Sequence, residues 1–330
     1  GGVLPRMRSA ESILGEIKLL KQRYGFEKFG LVCDYFTFNK EKVIELCRLF
    51  MRERLEVNWH ISSRLDDMNS GLIKMLSKAG CRKILFGAES GSAKVQKSVH
   101  KTFDSSSLFT TLSLCKQHKI FPKFSFILGF PEEKEEDLNR TIELALKICN
   151  FAHCSVDISL LVPLPGTEVA EENIDRLVFA NRYNSFVGGF KMNRKKENIA
   201  LIKKYPLIFS SFYTIKPKYL SITFVYEFAC AFFNLLLSYP VSSSLVMKDL
   251  KLKPTKLISE LGEMMRKYKI SWEEDFADFT IKSRLTGRIH KYFPVFIKYL
   301  YSREKAKYKF TKSMLSFEIE KFKHLNFLYF

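Results

Sequence analysis

A chain of 330 residues that is 46% hydrophobic and 27% charged is not intrinsically disordered, and it is long enough for one large domain or two ordinary ones. Its formal net charge of +19 is uneven, with +5 over residues 1–170 and +14 over residues 171–330. The 7 cysteines are odd in number and scattered, which excludes a disulfide framework; with no signal peptide at the start, they point to free thiols in a reducing, cytoplasmic setting.

The first half alternates helical and strand patterns. Ser9 caps a helix expected over Ala10–Arg23, where Ile13, Ile17, Leu20 and Tyr24 recur at helical spacing. A short β-rich run follows at Phe29–Cys33, then a helix over Lys40–Arg54 capped by Asn39. Val57–Ile61 reads as the second strand, and a helix opened by Asn69 or Ser70 stops at Gly80. Lys83–Phe86 is the third strand, and Ser105–Ser107 precede a helix through His118. Phe124–Leu128 is the fourth strand, and acidic residues from Glu132 to Asp137 begin a helix through Ile148. Val156–Leu161 is the last strand of the series. Several of these runs are apolar throughout, as in strands buried on both faces of a parallel sheet. Periodicity does not choose between a barrel and an open sheet.

After Pro163-Leu164-Pro165-Gly166 the rhythm ends. The remainder reads as helices and loops rich in Phe, Tyr and Lys, with helices expected at 196–204, 222–238, 254–268, 290–301 and 313–327. A boundary is expected near 175–195, at the loop around Gly188-Gly189. Tyr219–Tyr239 is long enough to span a bilayer, but Glu227 and Asn234 fall within it and favour a buried or interfacial helix. Cys149 and Cys154 lack the second ligand pair that a zinc site needs.

Polar residues gather where the strands end, which is where ligands bind in parallel α/β folds. The five ends read Cys33-Asp34-Tyr35, Ser63-Arg64-Leu65-Asp66, Gly87-Ala88-Glu89-Ser90-Gly91, Gly129-Phe130-Pro131-Glu132 and Pro163-Leu164-Pro165-Gly166. Asp34 or Glu89 can accept hydrogen bonds from an ammonium or from sugar hydroxyls. Arg64 can hold a carboxylate in a forked geometry, and Gly129 lets backbone approach a flat ring. Each also has a plain structural role open to it: a helix cap for Asp34 or Asp66, a surface ion pair for Arg64, a turn for Glu89 and for Gly129-Phe130-Pro131.

At these residues the sequence resembles the radical S-adenosylmethionine (SAM) superfamily, in the branch that often carries an N-terminal cobalamin-binding domain. The segments carrying the resemblance run from Arg8 to Cys47, then WHISSRLD, AGCRKILFGAESGS, FSFILGFPEEKEEDLNRTIELAL and LLVPLPGTE, in that order. The resemblance implies an α/β fold, a partial (βα) barrel with about five of its six βα units present. It would occupy residues 1–175, lacking the first strand and cluster loop, with a basic, aromatic-rich and mainly α-helical region at 176–330. It places Asp34 at the methionyl amino group, Glu89 and Ser90 at the ribose or methionyl end, Arg64 at the methionyl carboxylate, and Gly129 and Pro131 on the strand whose backbone faces the adenine.

The family's chemistry is reductive cleavage of SAM to a 5′-deoxyadenosyl radical, used for hydrogen abstraction or, with cobalamin, in support of methyl transfer. It needs a [4Fe–4S] cluster held by a C-x3-C-x2-C loop. That spacing does not occur in this sequence, which begins Gly-Gly-Val-Leu and reads as a fragment, a processed form or a trimmed piece. The ligands are expected upstream, so the chain alone is expected to be inactive. Cofactors expected are therefore SAM, the cluster and, as an option, cobalamin; partners are an unidentified substrate and an electron donor such as a flavodoxin or ferredoxin. Where many relatives carry two aspartates, this chain has Cys33-Asp34. The alternative is a non-catalytic barrel protein whose basic second half binds RNA or an anionic membrane surface, through segments such as residues 291–312. A phosphate-binding barrel is a weaker alternative, because Glu89 stands in its one candidate loop.

Overall fold

The computed structural model describes residues 6–101, 103–151, 154–179, 196–232, 236–269 and 289–303. Local capping chemistry sets the first helices. α1 (Ala10–Tyr24) starts where Ser9 accepts the Ser12 amide at 3.2 Å and ends at Gly25 in the left-handed region. Asn39 caps α2 (Lys40–Arg52) and Asn69 caps α3 (Ser70–Lys78), each side chain accepting an amide three residues on. The strands between and beyond them are β1 (Lys28–Gly30), β2 (Asn58–Ser63), β3 (Cys81–Glu89), β4 (Phe121–Leu128) and β5 (Ser155–Leu160). The helices that follow β3 and β4 are α4 (Ala93–Ser98), α5 (Ser105–Gln117) and α6 (Glu135–Phe151).

All neighbouring strands of this sheet pair in parallel, and they lie in sequence order, β1-β2-β3-β4-β5. Crossovers that never reverse direction along this order keep the connecting helices on one face, as in a sheet curling into a half-barrel. The face under the helices holds the core, including Trp59, Ile61, Ile84, Phe86, Phe124, Phe126, Val156 and Ile158. The concave face is half-exposed and carries His60, Lys83, Leu85, Glu89, Lys123, Ser125 and Asp157. The strands expected to be apolar on both faces are therefore buried on one face only, with polar residues alternating along β2, β3, β4 and β5.

Two boundaries move for physical reasons. β1 stops at Gly30 instead of Cys33, because after the Leu31 amide bonds the His60 carbonyl the chain leaves the sheet, and Val32 is 97% exposed. α6 begins at Glu135 rather than Glu132. The Glu133 amide closes a turn onto the Phe130 carbonyl, and the Asp137 carboxylate reaches back to accept the Lys134 amide at 3.0 Å. The short helix α4 and a capping role for Asp104 ahead of α5 were not expected.

Beyond β5 come a single turn, α7 (Glu168–Glu171), and a two-stranded antiparallel ribbon of β6 (Leu177–Phe179) with β7 (Tyr213–Ile215). The ribbon corrects the expectation of helices and loops alone. α8 (Lys196–Lys204) precedes β7, and α9 (Ile222–Ala231), α10 (Pro240–Asp249), α11 (Pro254–Lys267) and α12 (Ile289–Arg303) follow it. α10 and α11 pack on α6, and α12 packs on α11. Phe228, Val246, Leu261, Phe293 and Ile297 join the core cluster that runs beneath the sheet. The helix expected over 222–238 is α-helical from Ile222 to Ala231 and π-helical at Phe232 and Leu236, with residues 233–235 outside the described residues, and no helix among the described residues is long and apolar enough to cross a membrane. On α12 the rings of Phe293, Phe296 and Tyr301 are buried in the core, while Tyr292 and Tyr299 are half-buried; residues 304–312 lie outside the described residues. The expected helix at 313–327 and the loop at Gly188-Gly189 lie outside the described residues.

Candidate active site

The parallel sheet brings the expected polar residues to one rim. Asp34 is exposed in the loop after β1. Arg64 directly follows β2. Its guanidinium is turned to Asp66 (Nη2–Oδ2 2.8 Å, Nε–Oδ1 3.0 Å) and stands 5.9 Å from the centre of the Tyr35 ring. The Asp66 hydrogen bond raises the Arg64 pKa, and Arg64 in turn holds the Asp66 carboxyl below its usual range. Asp67 accepts from Thr37 at 2.6 Å, and Thr37 is 2.5 Å from Ser63, which ties the segment after β1 to the end of β2. Burial, followed by the Asp67 carboxylate, pushes the Tyr35 phenol up to about 12.

Glu89 closes β3 with φ +57°, in the left-handed region, where the β3–β4 register shifts. Its carboxylate pairs with Lys101 above Gly87. Ser90 is fully buried, and its hydroxyl faces inward, 2.9 Å from that of Thr141 on α6. The same Thr141 oxygen accepts the Gly91 amide at 3.0 Å, Ser92 donates to Asp137, and Gln96 donates to the Ser90 carbonyl at 2.7 Å. A Cβ at Gly91 would run into the Arg140 carbonyl, so only glycine allows the turn after β3 to sit this close to α6.

Gly129 follows β4 with φ +90° and donates its amide to Glu133 Oε2 at 2.7 Å. Glu133 is 0% exposed, its Oε1 has no hydrogen-bond partner, and burial pushes its carboxyl up to about 8. From outside, the ribbon closes on the same turn: the Pro131 carbonyl accepts the Lys218 amide at 2.9 Å, and Arg176 bonds the Lys216 carbonyl at 2.7 Å. A cavity of about 460 Å³ opens there between α4, the turn and α7, walled by Val95, Val99, Phe130 and Val169 and edged by Glu132, Glu168, Glu172 and Arg176.

The rim therefore gathers Asp34, Arg64, Glu89, Gly129 and Pro131, and sets Ser90 behind it. Glu133, Asp137 and Thr141 were not singled out from the sequence. A glutamate four residues after the strand-ending glycine was the available signal, but it is hidden in the charged run Glu132–Asp137. Gly129 in the left-handed region and the Glu133 anchor suit backbone contact with a planar base; the cavity beside them is lined by Pro131 but not by Asp34, Arg64, Glu89 or Gly129, and its edge acids Glu132 and Glu168 are paired with Arg176, Lys218 and His100. The residues present do not suit an iron–sulfur cluster: among the described residues no group of His, Cys, Asp or Glu could hold a metal, and burial pushes the Cys47 and Cys115 thiols up to about 12.

The described residues form a curled parallel half-barrel with polar residues at its strand ends. Residues 1–145 match the family model of the Radical SAM superfamily. An uncharacterized methyltransferase of Pyrococcus horikoshii is 29% identical over 167 residues, 50% of this chain and 36% of that protein. The bacteriochlorophyllide d C-12(1)-methyltransferase of Chlorobaculum tepidum is 27% identical over 176 residues, 52% of this chain and 38% of that protein. The chain thus spans little more than a third of the length of these two curated relatives. Among solved structures, the radical SAM methyltransferase TsrM of Kitasatospora setae, with cobalamin and a [4Fe–4S] cluster bound, aligns with TM-score 0.45 and 15% identity over 51% of this chain and 34% of that one.

Proposed function

We propose that the half-barrel is the SAM seat of a radical SAM enzyme, with the cluster ligands supplied by sequence outside these 330 residues. The observation that carries this reading is the turn at Gly129, whose left-handed backbone is pinned by the buried Glu133 carboxyl and lies on the same rim as Asp34, Arg64 and Glu89. Gly129 and Pro131 shape the backbone against the adenine, Glu89 and Asp34 serve the ribose and the methionyl ammonium, and Arg64 serves the methionyl carboxylate. Ser90 positions the turn through Thr141. Seated there beside a cluster held by other residues, SAM would supply the radical or methyl-transfer chemistry of the superfamily, and these residues would bind and orient it. The names of the relatives support methyl transfer, and an electron donor such as a flavodoxin or ferredoxin would serve the cluster.

We place the protein in a reducing compartment, on its buried free thiols at Cys47, Cys81 and Cys115. Exposed Leu201, Leu207 and Ile208 beside Lys203 and Lys204 support contact with an anionic membrane surface as a secondary feature.

Equilibrium dialysis of labelled SAM against this chain tests the seat. Saturable binding is expected, weakened about tenfold or more in Gly129→Ala, where a side chain at φ +90° costs about 1–2 kcal/mol and shifts the turn. Binding unchanged in that variant would overturn the assignment.

A further inference from the structure

Asp34 and Glu89 both stand at the rim, but their surroundings differ. Asp34 is exposed, and among the described residues no side chain bonds or pairs with it. The Glu89 side chain is only 13% exposed, and its Oε1 is paired with the ammonium of Lys101. Lys101 lies beyond α4, so the pair is made by the way the chain returns to β3.

That return is fixed at each step. The chain turns at His100, whose φ of +53° lies in the left-handed region. The His100 amide closes on the Lys97 carbonyl at 3.2 Å, and the Lys101 amide on the Gln96 carbonyl at 2.9 Å. Gln96 is buried, and its side chain donates to the carbonyl of Ser90, the residue after Glu89, at 2.7 Å. The backbone of Lys101 is therefore tied, through Gln96, to the strand end that carries its partner. Its ammonium then crosses Gly87. A Cβ there would stand 2.6 Å from Lys101 Nζ and collide with Glu89 Oε1, so a side chain at position 87 would push the pair apart. At φ +57° the Glu89 backbone leaves the strand where the β3–β4 register shifts, and Lys101 sets where the carboxylate goes from there.

A carboxylate held through one oxygen keeps its direction, and its other oxygen accepts from a hydroxyl with little reorganisation. We propose that Lys101 is a positioning residue for ribose recognition, fixing the Glu89 carboxylate so that it accepts a hydroxyl of the SAM ribose. The inference rests on the SAM seat at the rim and adds to it a residue that lies outside the strand ends.

Competition dialysis of the whole chain with SAM and with its 2′-deoxy and 3′-deoxy analogues tests it. The parent is expected to bind at least one analogue about tenfold or more weakly than SAM, and that analogue names the hydroxyl. Lys101→Met should cut this preference to about threefold or less. Lys101→Arg keeps a cation and its donors and should hold the preference within about twofold of the parent's. In a Glu89→Gln background, Lys101→Met should change it no further. The preference discriminates because a general loosening of the turn after α4 weakens SAM and its analogues alike. Equal binding of SAM and both analogues by the parent, a preference in Lys101→Met within about twofold of the parent's, or one lost as fully in Lys101→Arg as in Lys101→Met overturns the proposal. Each of these leaves the seat standing while SAM itself binds and Gly129→Ala weakens it. Absence of saturable SAM binding by the parent overturns the seat, and the proposal with it.

Discussion

Glu133 shows how much of the site rests on one buried group. Its Oε2 holds the Gly129 amide, and its Oε1 lies in the interior without a partner. Its folded pKa, raised from 4.5 to about 8, lies above its unfolded value, so the folded state binds the proton more tightly. Stability from this group is therefore full below about pH 4.5 and is lost as the pH rises through about 8. Glutamine keeps an oxygen for Gly129 and carries no charge. Denaturant unfolding should show Glu133→Gln gaining on the parent between pH 5 and pH 8.5, by an amount on the order of a few kcal/mol. A pH-independent difference between the two proteins would mean that Glu133 is charged in the folded state. In the sequence this residue is one acid in the run Glu132–Asp137, all of which reads as the solvated start of a helix. Its burial follows from the turn, and the turn follows from Gly129.

At the scale of elements, the ends of β3 and β4 are joined through α6. Thr141 holds Ser90 and Gly91, Asp137 holds Ser92 and the Lys134 amide, and Glu133 just ahead of the helix holds Gly129. One helix thereby sets the relative placement of the two turns that face the ligand. Thr141→Val keeps the shape and removes three bonds, to the Ser90 hydroxyl, the Gly91 amide and the Asp137 carbonyl, leaving the Gly91 amide without its acceptor. It should lower the stability by about 1–3 kcal/mol in urea unfolding, and an unchanged midpoint would show that the link is dispensable. The strands and caps were legible because their causes are local: Ser9, Asn39 and Asn69 precede their helices, and short β-rich runs recur between them. What was not legible is non-local. β6 pairs with β7 more than thirty residues away, and nothing near Leu177 or Tyr213 announces the partner. The positive φ at Glu89 has no local signal either, since it comes with the register shift against β4.

The whole molecule is a half-barrel backed by a second helical layer. The core passes without interruption from Phe86 and Phe124 through Ile142 on α6 to Leu261 and Phe293, so the later helices stabilise the sheet that carries the rim. The ribbon closes on the Pro131 turn from above, and the concave wall is left half-exposed below it. The order of the five strand ends was readable because parallel topology delivers all of them to one side. The Lys123–Asp157 ion pair was not, because polar residues inside apolar runs acquire a shared face only once the register is known.

The central claim is that SAM sits at this rim with its base against the β4 turn. Photocrosslinking with an 8-azidoadenine analogue of SAM, followed by peptide mapping, addresses it most directly. The account predicts label in the peptides containing Gly129–Glu133, suppressed by excess unlabelled SAM and reduced in Gly129→Ala. Label confined to the helices beyond residue 196, or label that excess SAM does not displace, would contradict it.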